Sequence, residues 1–186
     1  MLIDFNQKAE NKSPDALFIR FDTEQHSVIL ESAKRLECDL GELQENQTCI
    51  YISPGKVSTY QLLNFFLDKF KSPARVYITT WGMTETALRQ LASRKRSGKI
   101  EKLYFVFSEQ TRVNKANEWQ LSHKIADKVK VTPCHAKIYL VISDQEQVAI
   151  ISSGNLNRNN KLEAGTITLN KSAVDGIKTF LDSIIF

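Results

Sequence analysis

Cysteine is scarce in this chain: Cys38, Cys49 and Cys134 are three in 186 residues, an odd number with no Cys-x-x-Cys pair. That spacing argues against a disulfide framework and a zinc site, and it fits a reducing, cytoplasmic setting. Each is read as a small, partly buried thiol. Long apolar runs are also missing, since no stretch approaches the roughly 18 residues of a membrane span. The opening Met1-Leu2-Ile3-Asp4-Phe5-Asn6-Gln7-Lys8 has no basic stretch followed by an apolar core, so no secretory signal is read there. A basic amphipathic helix with exposed aromatics is absent as well, which sets a membrane surface and a lipid phosphodiesterase aside. Neither repeats nor low-complexity segments are visible. With no carboxylate cluster to build a metal site, neither a metal nor another cofactor is expected.

What is present is an ordinary globular composition, 42% hydrophobic and 25% charged. At this length the chain makes one domain, or at most two small ones, and buries a sizeable core without staples. The net charge of +4 says little, but its distribution says more. Residues 71–140 hold 14 Lys and Arg against 5 Asp and Glu, while the rest of the chain holds 11 against 16. A middle third this basic predicts a polyanion partner, with phosphate the obvious group. The densest cluster is Arg94, Lys95 and Arg96, with Lys99 and Lys102 just after, and it is the expected substrate-binding patch. Cations also suit the last turn of a helix, so the cluster has a purely structural reading beside the functional one.

Strands and helices alternate along the chain. Thr48-Cys-Ile-Tyr-Ile-Ser reads as a strand ended by Pro54-Gly55, and His26 to Ala33 offers a weaker one. Apolar Leu62, Leu63, Phe65, Phe66, Leu67 and Phe70 recur at helical spacing behind a Ser58 cap. Ala74 to Thr80 is a β-branched strand, and Thr84 caps a helix ending at Ser97-Gly98. Further strands are predicted at 102–107, 129–132, 137–142, 148–152 and 165–169, with a polar helix over about 114–128 and a closing helix from about 172. The pattern predicts an α/β domain whose mixed sheet is largely parallel and flanked by helices, with a hairpin around Asp144. Residues 48–186 are expected to form this lobe, with 1–47 an N-terminal appendage.

Chemistry concentrates late in the chain. His135 and Lys137 stand two apart at the head of a strand, so their side chains share a face. A ring nitrogen to attack phosphorus and a cation to neutralise its oxygens are what a phosphate ester requires. Ser152-Ser153-Gly154-Asn155 follows the hairpin as a small polar turn able to hold phosphate oxygens. Glu163, near the head of the next strand, is a carboxylate able to orient an imidazole.

In this order the segment from His135 to Glu163 resembles the signature of the phospholipase D superfamily: His-x-Lys, an apolar strand, an Asp, Gly-Ser-x-Asn, then an acidic residue. His135, Lys137, Ser153, Asn155 and Glu163 match it, with Ser152 where the family often has Gly. The family's Asp usually comes five positions after the Lys, where this chain has Ile142, and Asp144 lies in a hairpin about three residues longer than usual. Only one such motif is present, since His26 and His123 are not followed by the required Lys. The resemblance implies a lobe of that fold and a single-motif, metal-independent nuclease, an endonuclease-like phosphodiesterase of DNA or RNA. It also implies a homodimer, in which one His135 forms a phosphohistidine and the partner's His135 serves as acid and then base. A non-catalytic nucleic-acid-binding or assembly module on the same fold stays open as the alternative.

Overall fold

The β-branched run Ala74-Arg-Val-Tyr-Ile-Thr-Thr forms an almost wholly buried strand at the heart of an eight-stranded sheet. In the computed structural model residues 23–158 and 160–186 are described; the first 22 residues, about half of the expected appendage, lie outside them. The elements run β1 (Glu24–Ile29), α1 (Leu36–Leu40), β2 (Gln47–Pro54), α2 (Thr59–Lys69), β3 (Ala74–Thr80), α3 (Glu85–Arg96) and β4 (Ile100–Phe107). They continue with α4 (Glu109–Asn114), α5 (Ala116–Ile125), β5 (Lys128–Val131), β6 (Ile138–Ile142), β7 (Gln147–Ser152), β8 (Leu162–Thr168) and α6 (Lys171–Ile185). Strand order across the sheet is β1-β2-β8-β7-β6-β3-β4-β5.

Helix boundaries follow local chemistry. The side-chain oxygen of Gln61 accepts the Ser58 N–H at 2.9 Å, closing the first turn of α2. Thr84 accepts the Ala87 N–H at the start of α3, and Asn170 accepts the Ala173 N–H at the start of α6. One sheet face is covered by α2, α3 and α5, through Leu62, Leu63, Phe66, Leu88, Leu91 and Trp119. The other is covered by α6, whose Val174, Leu181 and Ile185 pack on Tyr77, Leu140 and Ala149. This is the expected mixed α/β sheet flanked by helices.

Two expectations need correction. The sheet is mixed as expected but not largely parallel: β1–β2, β3–β4 and β4–β5 are parallel, and the four pairings from β2 through β8, β7 and β6 to β3 are antiparallel. Helical crossovers give parallel neighbours, whereas the short turn Ser143–Glu146 can only join antiparallel ones. β3 then lies beside β6, which alternation along the chain does not reveal. The boundary at residue 47 is also crossed, because β1 is hydrogen-bonded along β2 and so belongs to the same sheet.

The topology sets one edge of the sheet apart. Strands β2, β3, β4 and β7 end there, and β6 and β8 begin there. Helices α2 and α3 start from the same edge, so their partially positive N-termini are aimed towards it.

Candidate active site

His135 and Lys137 lie in the extended segment that feeds β6 at this edge. His135 is exposed, but Lys137 is only 8% exposed. The Lys137 ammonium donates to the His135 carbonyl at 2.9 Å and stands 3.1 Å from Nδ1 and 3.4 Å from Nε2 of the ring. An ammonium has donors only, so a ring nitrogen bonded to it presents a lone pair. A buried cation touching an exposed imidazole is the outstanding chemical feature of the edge.

The turn after β7 lies alongside. Register pairs Ile138 with Ile151, and the Ser152 N–H donates to the Lys137 carbonyl at 3.0 Å. The Ser153 hydroxyl donates to the Glu163 carboxylate and accepts the Ala164 N–H at 3.1 Å. Asn155 reaches the other way: its side-chain oxygen accepts from the Thr80 hydroxyl and the Trp81 N–H, both at 3.3 Å. Trp81 in turn places its indole 6.0 Å, centroid to centroid, from the His135 ring. His135, Lys137, Trp81 and Asn155 thus form one cluster, Ser153 and Glu163 a second, and the backbone of Ser152 joins them.

Beneath lies a polar network. The Tyr51 hydroxyl donates to Ser152 Oγ at 2.7 Å, Thr59 shares a 2.7 Å hydrogen bond with the same oxygen, and the Gly154 N–H donates to it at 2.9 Å. The Tyr139 hydroxyl donates to the Gly154 carbonyl at 3.0 Å. Burial pushes both phenols above their ordinary range, with the Glu163 charge adding to the rise. They stay neutral and act as fixed hydrogen-bond donors. A side chain at Gly154 would strike Thr59 Oγ1 at 2.4 Å, so glycine is what lets the turn sit on this network.

The basic patch lies elsewhere. α3 runs about 18 Å away from the edge where it starts, and the Lys99 carbonyl accepts the N–H of Ala74 at the far end of β3. Arg94 grips Asp68 and Asn64, Lys95 holds Asp127 and the Ile125 carbonyl, and Lys99 donates to the Phe70 carbonyl. Burial pushes Asp127 up, but Lys95, the Leu103 N–H and Lys102 outweigh it and hold the carboxyl below its usual range. Arg94, Lys95, Arg96 and Lys99 therefore do not flank the His135 cluster, and three of the four are engaged in holding the fold.

No family model matches the chain, and no curated protein matches it. Among solved structures it is similar to polyphosphate kinase from Porphyromonas gingivalis, at 18% identity and a TM-score of 0.61 over 83% of this chain and 29% of that one. A second is TrmBL2, an archaeal chromatin protein whose structure shows a novel mode of DNA binding, at 12% identity and a TM-score of 0.48 over 81% of this chain and 56% of that one. The chain spans less than a third of the kinase and little more than half of TrmBL2. The kinase likeness shows the fold. It also corrects the family reading: membership of the phospholipase D superfamily as a single-motif nuclease is not upheld, since no family model matches and the similar fold is found in a polyphosphate kinase. The departures have physical form. Ile142, at the position of that signature's Asp, is buried in the sheet, and Asp144 lies in the hairpin turn at the opposite edge. Ser152, in the place of its Gly, has its hydroxyl consumed by the network below.

Several participants carry no linear signal. Thr59, Tyr51 and Tyr139 read as an N-terminal helix residue and two strand aromatics, and only the pairing of β2, β8, β7 and β6 gathers them under one turn. Exposed Lys56, Arg112 and Arg158, scattered in sequence, lie in segments at the same edge as His135. A larger cavity of about 970 Å³ lies at the far edge, between residues 41–46, the Ser143–Glu146 turn and the start of α6. Acidic and basic side chains line it in equal number, which gives a polyanion no net attraction.

Proposed function

We propose that this chain is a phosphodiesterase of nucleic acid, with His135 as nucleophile and Lys137, Ser153 and Asn155 as the groups that hold the phosphate. What carries the proposal is the buried Lys137 ammonium in contact with the exposed imidazole of His135 at the edge of the sheet. An arriving phosphate competes for the ammonium, and the ring nitrogen released from it has a lone pair facing phosphorus. A nitrogen–phosphorus bond forms as the bond to the leaving oxygen breaks, and the growing negative charge falls on the Lys137 donors. Glu163 fixes the Ser153 hydroxyl.

The leaving oxygen needs a proton, and one chain has no second imidazole in position. His26 lies in β1, four strands and about 19 Å across the sheet from β6. His123 is bonded through Nδ1 to the Trp119 carbonyl on α5. The reading therefore takes a second copy of the chain, whose His135 imidazolium protonates the leaving oxygen. That imidazole next takes a proton from the water that attacks phosphorus, and the nitrogen–phosphorus bond breaks to regenerate His135. Lys56, Arg112 and Arg158 are the cations for neighbouring backbone phosphates.

The test is incubation of the purified chain, in EDTA, with bis(p-nitrophenyl) phosphate and with labelled single- and double-stranded DNA and RNA. The expected result is release of nitrophenol and cleaved strands, with an acid-labile phosphoryl adduct on His135. Binding without cleavage or adduct would replace the enzyme with a binding module, and neither binding nor cleavage would end the nucleic-acid reading.

A further inference from the structure

Trp81 emerges from the end of β3 with 41% of its surface exposed, although it is held at three points. Its N–H donates to Asn155, its carbonyl accepts from the Thr111 hydroxyl at 3.1 Å, and its indole N–H donates to Gln110 at 3.1 Å. The exposure is built, not slack. Beside the indole opens a cavity of about 490 Å³, whose walls include Pro133, Cys134, Gln110 and the His135 ring. One wall is therefore a flat aromatic face, and the next is the proposed nucleophile, 6.0 Å away and tilted by 43°.

We propose that this cavity takes one unpaired base of a single-stranded nucleic acid, stacked on Trp81, while the adjoining phosphate lies at His135 and Lys137. The inference rests on the phosphodiesterase reading for the identity of that phosphate. A flat aromatic wall beside a phosphate-holding pair is matched by one nucleotide, whose base and phosphate lie about as far apart as the two rings. Every base has a π-face, so stacking on an indole binds strands with little regard to sequence. Charge favours the same division: Glu109, which lines the cavity, repels phosphate from it, and Lys137, in contact with His135, attracts phosphate. A base within a duplex has both faces stacked and its edge paired, and must be unstacked and unpaired before it can enter, at a cost in free energy. An unpaired strand has no such cost. Single strands are thereby the preferred substrate class.

The experiment follows tryptophan emission of the unaltered chain during titration with a single-stranded oligothymidylate and with a duplex of equal length. The expected result is saturable quenching by the single strand that disappears in Trp81→Phe, with duplex affinity at least about tenfold weaker. Anisotropy of the labelled single strand is expected to show Trp81→Phe binding within a few-fold of the unaltered chain, and Trp81→Ala weaker by on the order of tenfold or more. Equal affinity for strand and duplex, or quenching that survives in Trp81→Phe, would overturn the proposal. The two readings fail separately: an adduct on His135 without quenching removes the base pocket alone, and quenching without an adduct removes the hydrolytic chemistry alone.

Discussion

The guanidinium of Arg94 grips both carboxylate oxygens of Asp68, fastening the last turn of α3 to α2. Lys95 likewise ties α3 to Asp127, through one carboxylate oxygen. These contacts lie a helix length from His135, so the cluster is expected to act on stability and not on nucleic acid. Replacing Arg94, Lys95 and Arg96 together by Ala should remove up to about 1 kcal/mol for each pair, seen as a fall in Tm of a few degrees. The salt dependence of nucleic-acid binding should be unchanged. A flattened salt slope with an unaltered Tm would return the cluster to the binding surface.

His135→Ala should abolish turnover, a loss of several orders of magnitude for a nucleophile. Asp144→Ala should change it less than about twofold, because Asp144 lies in the Ser143–Glu146 turn across the length of β6, roughly 16 Å from the edge that bears His135. The turn is closed by the Ser143 N–H on the Glu146 carbonyl at 2.8 Å and the Glu146 N–H on Ser143 Oγ at 2.9 Å, neither involving the Asp144 side chain. Comparable losses from both substitutions would mean that the hairpin is read in the wrong register.

Local signals were the ones most legible in the sequence. The helical spacing from Leu62 to Phe70, the Thr84 cap and the β-branched run at Ala74 each report their own few residues, and each became the expected element. The polar helix expected over about 114–128 is α5, while α4 just before it and the five-residue α1 gave no periodic signal. Pairing between distant strands was not legible, because a strand does not name its neighbour. The insertion of β3 beside β6 and the return of β8 beside β2 are long-range outcomes of burial. The same limit governs the site. His135 and Lys137 share a face by strand periodicity alone, but the network on Ser152 and the position of Trp81 depend on the assembled sheet. Charge is bounded in the same way, since a count of Lys and Arg does not show that Arg94 and Lys95 each face a carboxylate.

Gly165→Ala should destabilise the protein and disturb the site together. A Cβ there would lie 2.2 Å from the Ile151 carbonyl oxygen and 2.8 Å from the Tyr51 ring, so β7 and β8 must part or the ring must move. Forced overpacking of this kind costs roughly 1–3 kcal/mol, or several degrees of Tm. Because Tyr51 anchors Ser152, turnover should fall in the surviving folded protein as well. Thermal melts paired with rate measurements on the folded fraction check this, and an unchanged melt would show that the strands have room.

Alkaline pH should unfold the chain earlier than an ordinary domain. Burial pushes the Cys49 thiol up to about 11 from an ordinary 9.0, and raises the Tyr51 and Tyr139 phenols in the same direction. A group whose folded pKa exceeds its unfolded value is protonated in both states below the unfolded value, and its contribution is then fully present. Between the two values only the unfolded chain ionises, so stability is lost as pH rises, and the loss levels off above the folded value. For Cys49 that window runs from about 9 to about 11, and the shift amounts to on the order of 2–3 kcal/mol. Urea midpoints measured at pH 7, 9, 10 and 11 should be level to about 9 and then fall, with a shallower fall in Cys49→Ala. The exposed Cys38 should react with a thiol reagent in the native protein at pH 9, while Cys49 stays protected until the chain unfolds. A midpoint level from pH 9 to 11, or native-state labelling of Cys49 as fast as Cys38, would show that the core around β2 is open to water.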